Sequence, residues 1–147
     1  MSGKVFVDTN VLVYSHDASS GVKHRVAMQL VANLWASRAG VLSTQVLQEF
    51  CINVCRKAAR PRSIEEMQLL VRDYMSWNIV INDSGSILRA LAFEERYQVS
   101  FWDALILQAA DIAGVDTLLS EDLAAGQRYG AFRVENPFAS LPEPRSI

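Results

Sequence analysis

Short apolar segments rich in β-branched residues alternate with longer segments of helical periodicity along most of this 147-residue chain. Short, fully apolar strands between helices are typical of a parallel sheet that is covered by helices on both faces. We therefore predict an α/β fold with three layers, in which a mainly parallel central sheet lies between two layers of helices. The strand candidates are residues 4–7, 41–45, 78–83, 117–119 and 131–136.

The ends of the predicted helices are marked by capping residues. Gly40 is expected to end the helix that begins near Val22. Ser43 or Thr44 is expected to cap the next helix, which should stop before Pro61. Further predicted caps are Ser63 with Glu66 in a capping box, Ser100 as an N-cap, and Gly114 as a C-terminal stop.

Size and composition predict one domain over residues 1–147, with a loosely packed tail from about residue 137. The formal net charge of −2 gives no global attraction to nucleic acid, although a metal or a local basic patch can supply it. Cys51 and Cys55 share a helix face, which fits two small buried thiols better than a disulfide or a zinc site. The first residues lack an apolar signal core, and no apolar run reaches the length of a membrane span. We expect a cytoplasmic protein without a membrane partner.

Four acidic residues stand where predicted strands end or where the following helices begin. Asp8 directly follows the first strand, and Glu49 lies in the early turns of the helix after the second. Asp103 lies in the first turn of a later helix, and Asp122 follows the strand that ends at Leu119. Because parallel strands present their carboxyl ends at one edge of the sheet, we expect these acids to meet there.

Each acid also has a structural alternative. Asp8 and Asp122 could cap helices or stabilise turns, Asp103 could belong to a capping box with Ser100, and Glu49 could face solvent. One metal site accounts for all four together, since clustered carboxylates repel each other unless a cation lies between them. Oxygen ligands of this kind suit Mg²⁺ or Mn²⁺, which points to phosphodiester chemistry.

The segments "FVDTNVLVY", "STQVLQEF", "SFWDALILQAA" and "LLSEDL" together resemble the PIN-domain family of metal-dependent ribonucleases. The resemblance extends from Val5 to about Phe138, and is closest to the small bacterial VapC-type toxins of toxin–antitoxin pairs. It implies hydrolysis of RNA by metal-activated water, a homodimer, and an antitoxin protein that blocks the acidic pocket. The residues it assigns are Asp8, Asp103 and Asp122 as ligands of Mg²⁺ or Mn²⁺, Glu49 as a further catalytic acid, and Thr9, Asn10 and Ser120 as their support.

A basic segment and an aromatic residue are candidates for contacts with RNA. Arg56, Lys57, Arg60 and Arg62 could bind phosphates, although cations also favour a solvated helix end. Trp102 could stack on a base, although packing in the core or between helices is the alternative that its type favours.

Two other functions remain open from the sequence. A haloacid-dehalogenase-like phosphatase also begins with a strand that ends on an aspartate, but Asn10 stands where that family has a second aspartate. A PIN-like module that binds RNA without cleaving it would differ only in holding no metal. Cleavage of RNA, and its dependence on a divalent cation, distinguish the three functions.

Overall fold

The computed structural model describes residues 2–57 and 61–141, and it contains one six-stranded sheet with helices on both faces. Within these residues, no helix combines the length and the hydropathy that a membrane crossing requires. The strands are β1 (Val5–Val7), β2 (Gly40–Ser43), β3 (Asn78–Val80), β4 (Thr117–Leu119), β5 (Arg128–Tyr129) and β6 (Phe132–Glu135). The helices are α1 (Thr9–Ser15), α2 (Val22–Ser37), α3 (Thr44–Ile52), α4 (Ile64–Tyr74), α5 (Ser84–Tyr97) and α6 (Phe101–Ala113), with a 3₁₀ turn at Ala18–Ser20 and a π-helical turn at Asn53–Lys57.

The order of the strands across the sheet is β3-β2-β1-β4-β6-β5. All neighbouring pairs are parallel except β5 with β6, which run antiparallel. Because the chain moves outward from β1 to β3 and then returns to β4, right-handed crossovers place α5 and α6 on the face opposite the earlier helices. The predicted three-layer α/β fold with a mainly parallel sheet is confirmed.

The central position of β1 determines the geometry of the carboxyl edge. Phe6 lies opposite Val41 of β2 on one side and Leu118 of β4 on the other, and all three side chains are fully buried. The residue that follows β1 therefore lies between the carboxyl ends of β2 and β4. The side chain of Asp8 is placed at that point.

Several predicted helix ends agree with the structure, and one does not. Ser43, Ser63 and Ser100 cap α3, α4 and α6 by accepting hydrogen bonds from the amides of Val46, Glu66 and Asp103. The prediction that Gly40 ends α2 is wrong. The helix stops at Ser37, with Arg38 in the left-handed conformation at φ 58°, and Gly40 begins β2. Gly40 is required for another reason, since a Cβ at this position would overlap the ring of Trp77.

Candidate active site

Asp8 is a buried carboxylate at the carboxyl end of the central strand. Its amide donates a 2.9 Å hydrogen bond to the carbonyl of Leu119, which continues the pairing of β1 with β4. Its side chain is 9% exposed and caps α1, with Oδ1 accepting from the amide of Thr9 at 2.7 Å and Oδ2 accepting from the hydroxyl of Ser120 at 2.8 Å. Because a carboxylate has about four acceptor sites, both oxygens retain a free lone pair.

Glu49 is connected to Asp8 through the intervening side chain of Thr9. The hydroxyl of Thr9 donates a 3.0 Å hydrogen bond to Oε1 of Glu49, while the amide of the same residue binds Asp8. Glu49 is half-buried on α3, in agreement with its predicted position early in that helix. Glu49 therefore faces the end of β1, while the residue remains partly exposed to solvent.

Asp122 is connected to the same point through Asn10 and Ser120. The side-chain amide of Asn10 donates a 3.0 Å hydrogen bond to Oδ2 of Asp122, and its carbonyl oxygen accepts from the amide of Glu121 at 3.3 Å. The hydroxyl oxygen of Ser120 accepts from the amide of Asp122 at 3.3 Å. The start of α1 and the loop after β4 are thus joined by side chains from both segments.

Asp103 lies in the first turn of α6, and no hydrogen bond among the described residues joins it to Asp8, Glu49 or Asp122. Its amide donates to the Ser100 hydroxyl at 3.1 Å, as the capping alternative predicted. Its carboxylate is half-buried, and after burial its charge is the main cause that raises the pKa of Tyr129. Among the described residues, hydrogen bonds through intervening side chains therefore connect Asp8, Glu49 and Asp122, whereas Asp103 lies in the first turn of α6 without such a connection.

A PIN-domain family model matches residues 5–128, which is most of the chain and includes all four acids. The chain belongs to the PIN-domain family. A comparison with well-characterised proteins by sequence found no match.

Two solved structures have the fold of this PIN domain. One is a toxin–antitoxin complex from Klebsiella pneumoniae, with a TM-score of 0.59, 19% identity, and coverage of 95% of this chain and 93% of that chain. The other is the VapC20 toxin of Mycobacterium tuberculosis, which cleaves the sarcin–ricin loop, with a TM-score of 0.59, 19% identity, and coverage of 78% of this chain and 87% of that chain. The PIN-like fold predicted from the resemblance is confirmed.

The electrostatics of this part of the PIN domain favour binding of a cation. Burial raises the pKa of Asp8 to about 6, the hydrogen bonds from Ser120 and Thr9 oppose the increase, and the charges of Glu49 and Asp122 add to it. Among the side chains that the structure describes, the only ion pair joins Lys23 to Glu121, so none of the described basic side chains neutralises Asp8. The uncompensated charge is of the kind that a divalent cation relieves.

The residues fit a hard cation in their chemistry, although they do not form a complete ligand set. All of the available donors are carboxylate, amide or hydroxyl oxygens, which Mg²⁺ and Mn²⁺ prefer. In the part of the chain that the structure describes, no three acidic, histidine or cysteine side chains lie close enough together to ligate one ion. Mg²⁺ commonly retains several waters and binds through one or two carboxylates, so Asp8 with one further acid suffices to hold it.

The predicted contacts with RNA are only partly described. Arg62 is half-buried, and its Nη2 donates a 2.9 Å hydrogen bond to the carbonyl of His16. The structure does not describe the side chains of Arg56 and Lys57, and Arg60 lies outside the described residues. Trp102 is 66% exposed beside Asp103, so the alternative that it packs in the core is wrong. Stacking of a base on Trp102 stays a prediction.

Two contacts near the acids were not predicted from the sequence. Glu121 accepts hydrogen bonds from Tyr14 at 2.7 Å and from Lys23 at 2.5 Å, so its side chain is engaged away from Asp122. Gln45 donates a 3.2 Å hydrogen bond to the carbonyl of Trp102. The spacing of Gln45 and Glu49 by four residues was the only available signal, because it places both on one face of α3.

Proposed function

We propose that this PIN domain is a metal-dependent endoribonuclease and the toxin of a toxin–antitoxin pair. The observation that carries the proposal is the buried carboxylate of Asp8, which has no basic partner among the described side chains and is bridged to Glu49 and Asp122 by hydrogen bonds. A buried carboxylate without a cationic partner costs stability, and a role in binding a metal ion would explain why it is present. The similarity in fold to a structure from a toxin–antitoxin complex and to the VapC20 toxin supports the same conclusion.

Each residue of the site would have its own role in hydrolysis. Asp8 would hold Mg²⁺ or Mn²⁺ together with Asp103 or Asp122, and water molecules would complete the coordination of the ion. The bound ion would polarise the scissile phosphate and lower the pKa of a water molecule. The hydroxyl of Thr9 donates to Oε1 of Glu49, and Oε2 of Glu49 would accept a proton from the attacking water. Ser120 and Asn10 keep Asp8 and Asp122 oriented.

The test is cleavage of single-stranded and structured RNA in Mg²⁺ and in Mn²⁺, with EDTA as the metal-free control. We expect Asp8→Asn, Glu49→Gln, Asp103→Asn and Asp122→Asn each to lose at least about 100-fold in rate while circular dichroism remains unchanged. Asp73→Asn, which removes an exposed carboxylate on α4, should cleave like wild type. Glu121→Gln should lose much less than Asp122→Asn, because Glu121 is paired with Tyr14 and Lys23.

Other outcomes of this assay point to the alternative functions. Hydrolysis of a small phosphomonoester without cleavage of RNA would identify a phosphatase. Binding of RNA that persists in EDTA, without cleavage in either metal, would identify a silent RNA-binding module.

The role as a toxin has its own test. Expression of the wild-type chain should arrest bacterial growth, whereas Asp8→Asn should not. Co-expression with a protein encoded beside it should restore growth and give a stable complex, if that protein is the antitoxin. Normal growth with an active nuclease would contradict the toxin role and leave the ribonuclease proposal intact.

A homodimer is the assembly that we propose for this chain. One face of α5 leaves the apolar side chains of Ile87, Leu88 and Leu91 between 50% and 71% exposed. Apolar side chains that are grouped in this way are typical of surfaces that are covered by a partner. Light scattering should give twice the 16.4 kDa mass of one chain, and Leu88→Glu should shift the mass toward that of a monomer.

A further inference from the structure

Gln45 is a buried polar residue that lies one helical turn before Glu49 on α3. It is only 6% exposed. Residues four apart project from the same face of a helix, so Gln45 and Glu49 form two successive contacts along one side of α3. Glu49 binds Thr9 beside Asp8, and Gln45 binds the first turn of α6. The helix therefore joins the two segments that carry Asp8 and Asp103.

The contact of Gln45 is made with the peptide unit that carries the Asp103 amide. Its Nε2 donates a 3.2 Å hydrogen bond to the carbonyl oxygen of Trp102. The nitrogen of the same peptide unit is the amide of Asp103, which donates to Ser100 at 3.1 Å. Both polar groups of this peptide are thus bound by side chains, and these bonds hold the backbone from which the Asp103 side chain projects.

The oxygen of the Gln45 side-chain amide indicates that this residue does not serve to stabilise the fold. Its Oε1 is buried and has no hydrogen-bond partner among the described residues. An amide turned the other way would place this oxygen against the Trp102 carbonyl, so the contact with α6 determines its orientation. Because an unpaired buried acceptor is costly, an apolar residue of similar size would serve the stability of α3 at least as well.

We propose that Gln45 is a positioning residue for Asp103. It holds the peptide between Trp102 and Asp103 against α3, and thereby keeps the Asp103 carboxylate in a fixed relation to Glu49 and Asp8. The inference rests on the proposed function, and takes Asp103 as the acid that holds the ion together with Asp8. It predicts that the loss of the Gln45 amide weakens metal binding without weakening the fold.

The experiment measures the affinity of the purified chain for Mn²⁺ by calorimetry, and its stability by urea unfolding without metal. Gln45→Met should bind Mn²⁺ about tenfold more weakly than wild type, which is the usual effect of losing a residue that orients a metal ligand. Its urea midpoint should be unchanged or higher, since the substitution also removes the unpaired oxygen. Gln48→Met is the matched control, because Gln48 is exposed on the same helix.

A double-mutant cycle tests whether Gln45 acts through Asp103. In an Asp103→Asn background, Gln45→Met should cause no further loss of Mn²⁺ affinity. An equal loss in both backgrounds would overturn the proposal, because Gln45 would then act independently of Asp103. Wild-type affinity in Gln45→Met would overturn it as well. If Gln45→Met does not fold, Gln45→Leu provides the same comparison.

Failure of the two proposals can be distinguished. A wild-type chain that neither binds Mn²⁺ nor cleaves RNA overturns both. A wild-type chain that does both, together with a Gln45→Met variant that matches it in affinity, overturns only the role of Gln45.

Discussion

The hydroxyl of Ser120 donates a 2.8 Å hydrogen bond to the carboxylate of Asp8, across 112 positions of the sequence. The oxygen of the same hydroxyl accepts from the amides of Asp122 and Leu123, both at 3.3 Å. With both acceptor sites engaged by amides, the hydroxyl proton is directed to Asp8. Ser120 therefore favours the ionised form of Asp8 and fixes the loop that carries Asp122.

Ser120→Ala should raise the pKa of Asp8 further, because one of the two bonds that stabilise its charge is removed. The measurement is an NMR titration of the Asp8 carboxyl carbon in metal-free protein. Ser43→Ala is the matched control, since Ser43 is also a fully buried serine whose hydroxyl oxygen accepts from a backbone amide, that of Val46, but it does not contact Asp8. An unchanged Asp8 titration in Ser120→Ala would contradict the assigned role of the hydroxyl.

Asp8→Asn should stabilise the metal-free protein at neutral pH while it abolishes cleavage. The folded-state pKa of about 6 lies above the usual aspartate value of 3.8, so the contribution of Asp8 to stability is present below pH 3.8 and is lost as the pH rises through 6. A shift of this size corresponds to about 3 kcal/mol at pH 7. Part of it is offset in the variant, because Ser120 loses a charged acceptor. We expect a gain of about 1–2 kcal/mol in the free energy of unfolding by urea at pH 7.

The same comparison at pH 3.5 provides the internal control for Asp8→Asn. Both proteins then carry a neutral side chain at this position, so the gain in stability should disappear. A gain that is equal at both pH values would show that the effect does not arise from the charge of Asp8.

Thr9→Val should reduce the rate of RNA cleavage by about tenfold, because Glu49 loses the hydrogen bond that orients it. Valine has nearly the same shape, and the amide of residue 9 remains available to Asp8. Thr9→Ser keeps the hydroxyl and should retain most of the activity. Equal rates in Thr9→Val and wild type would remove Thr9 from the site, provided that both proteins unfold at similar temperatures.

His16 should make the fold sensitive to acid. Burial lowers its pKa from 6.5 to about 4, and the charges of Arg62 and His24 lower it as well. Because the folded-state pKa is lowered, the stability contribution is present above pH 6.5 and is lost as the pH falls toward 4. After allowance for the partial exposure of the ring, the loss is about 2 kcal/mol.

His16→Gln tests this sensitivity, since glutamine can keep a hydrogen bond to the hydroxyl of Tyr74, which lies 2.6 Å from Nε2 of His16. The loss of unfolding free energy between pH 7 and pH 4.5 should be smaller in the variant than in wild type. In wild type, Asp8 and His16 change stability in opposite directions over this range, so each effect is clearest when the other residue is replaced. A variant with the wild-type pH dependence would show that His16 is not responsible.

Local capping patterns were sufficient to predict much of the fold. Ser43, Ser63 and Ser100 cap helices through contacts three residues away, and such contacts are determined by nearby sequence. The end of α2 was misjudged because Arg38 adopts the left-handed conformation, while Gly40 is required by the ring of Trp77. That contact joins distant segments, and no local pattern reveals it. The two-residue strand β5 was missed for the same reason, since only its pairing with β6 defines it.

The candidate site was predictable in outline and not in its connections. The rule that parallel strands end at one edge correctly placed Asp8 near the segments of Glu49 and Asp122. The supporting roles of Thr9, Asn10 and Ser120 were assigned from the family resemblance alone, because a hydrogen bond between distant side chains leaves no periodic signal. Gln45 had such a signal in its helical spacing from Glu49. Its contact with the carbonyl of Trp102 depends on how α6 packs, which the sequence does not specify.

The placement of β1 between β2 and β4 also affects the order in which the candidate site is completed during synthesis. In a growing chain Asp8 is made first, and Leu119, Ser120 and Asp122, which hold and complement it, are added more than 110 residues later. Shortened products that end before Leu119 therefore lack one side of the candidate site.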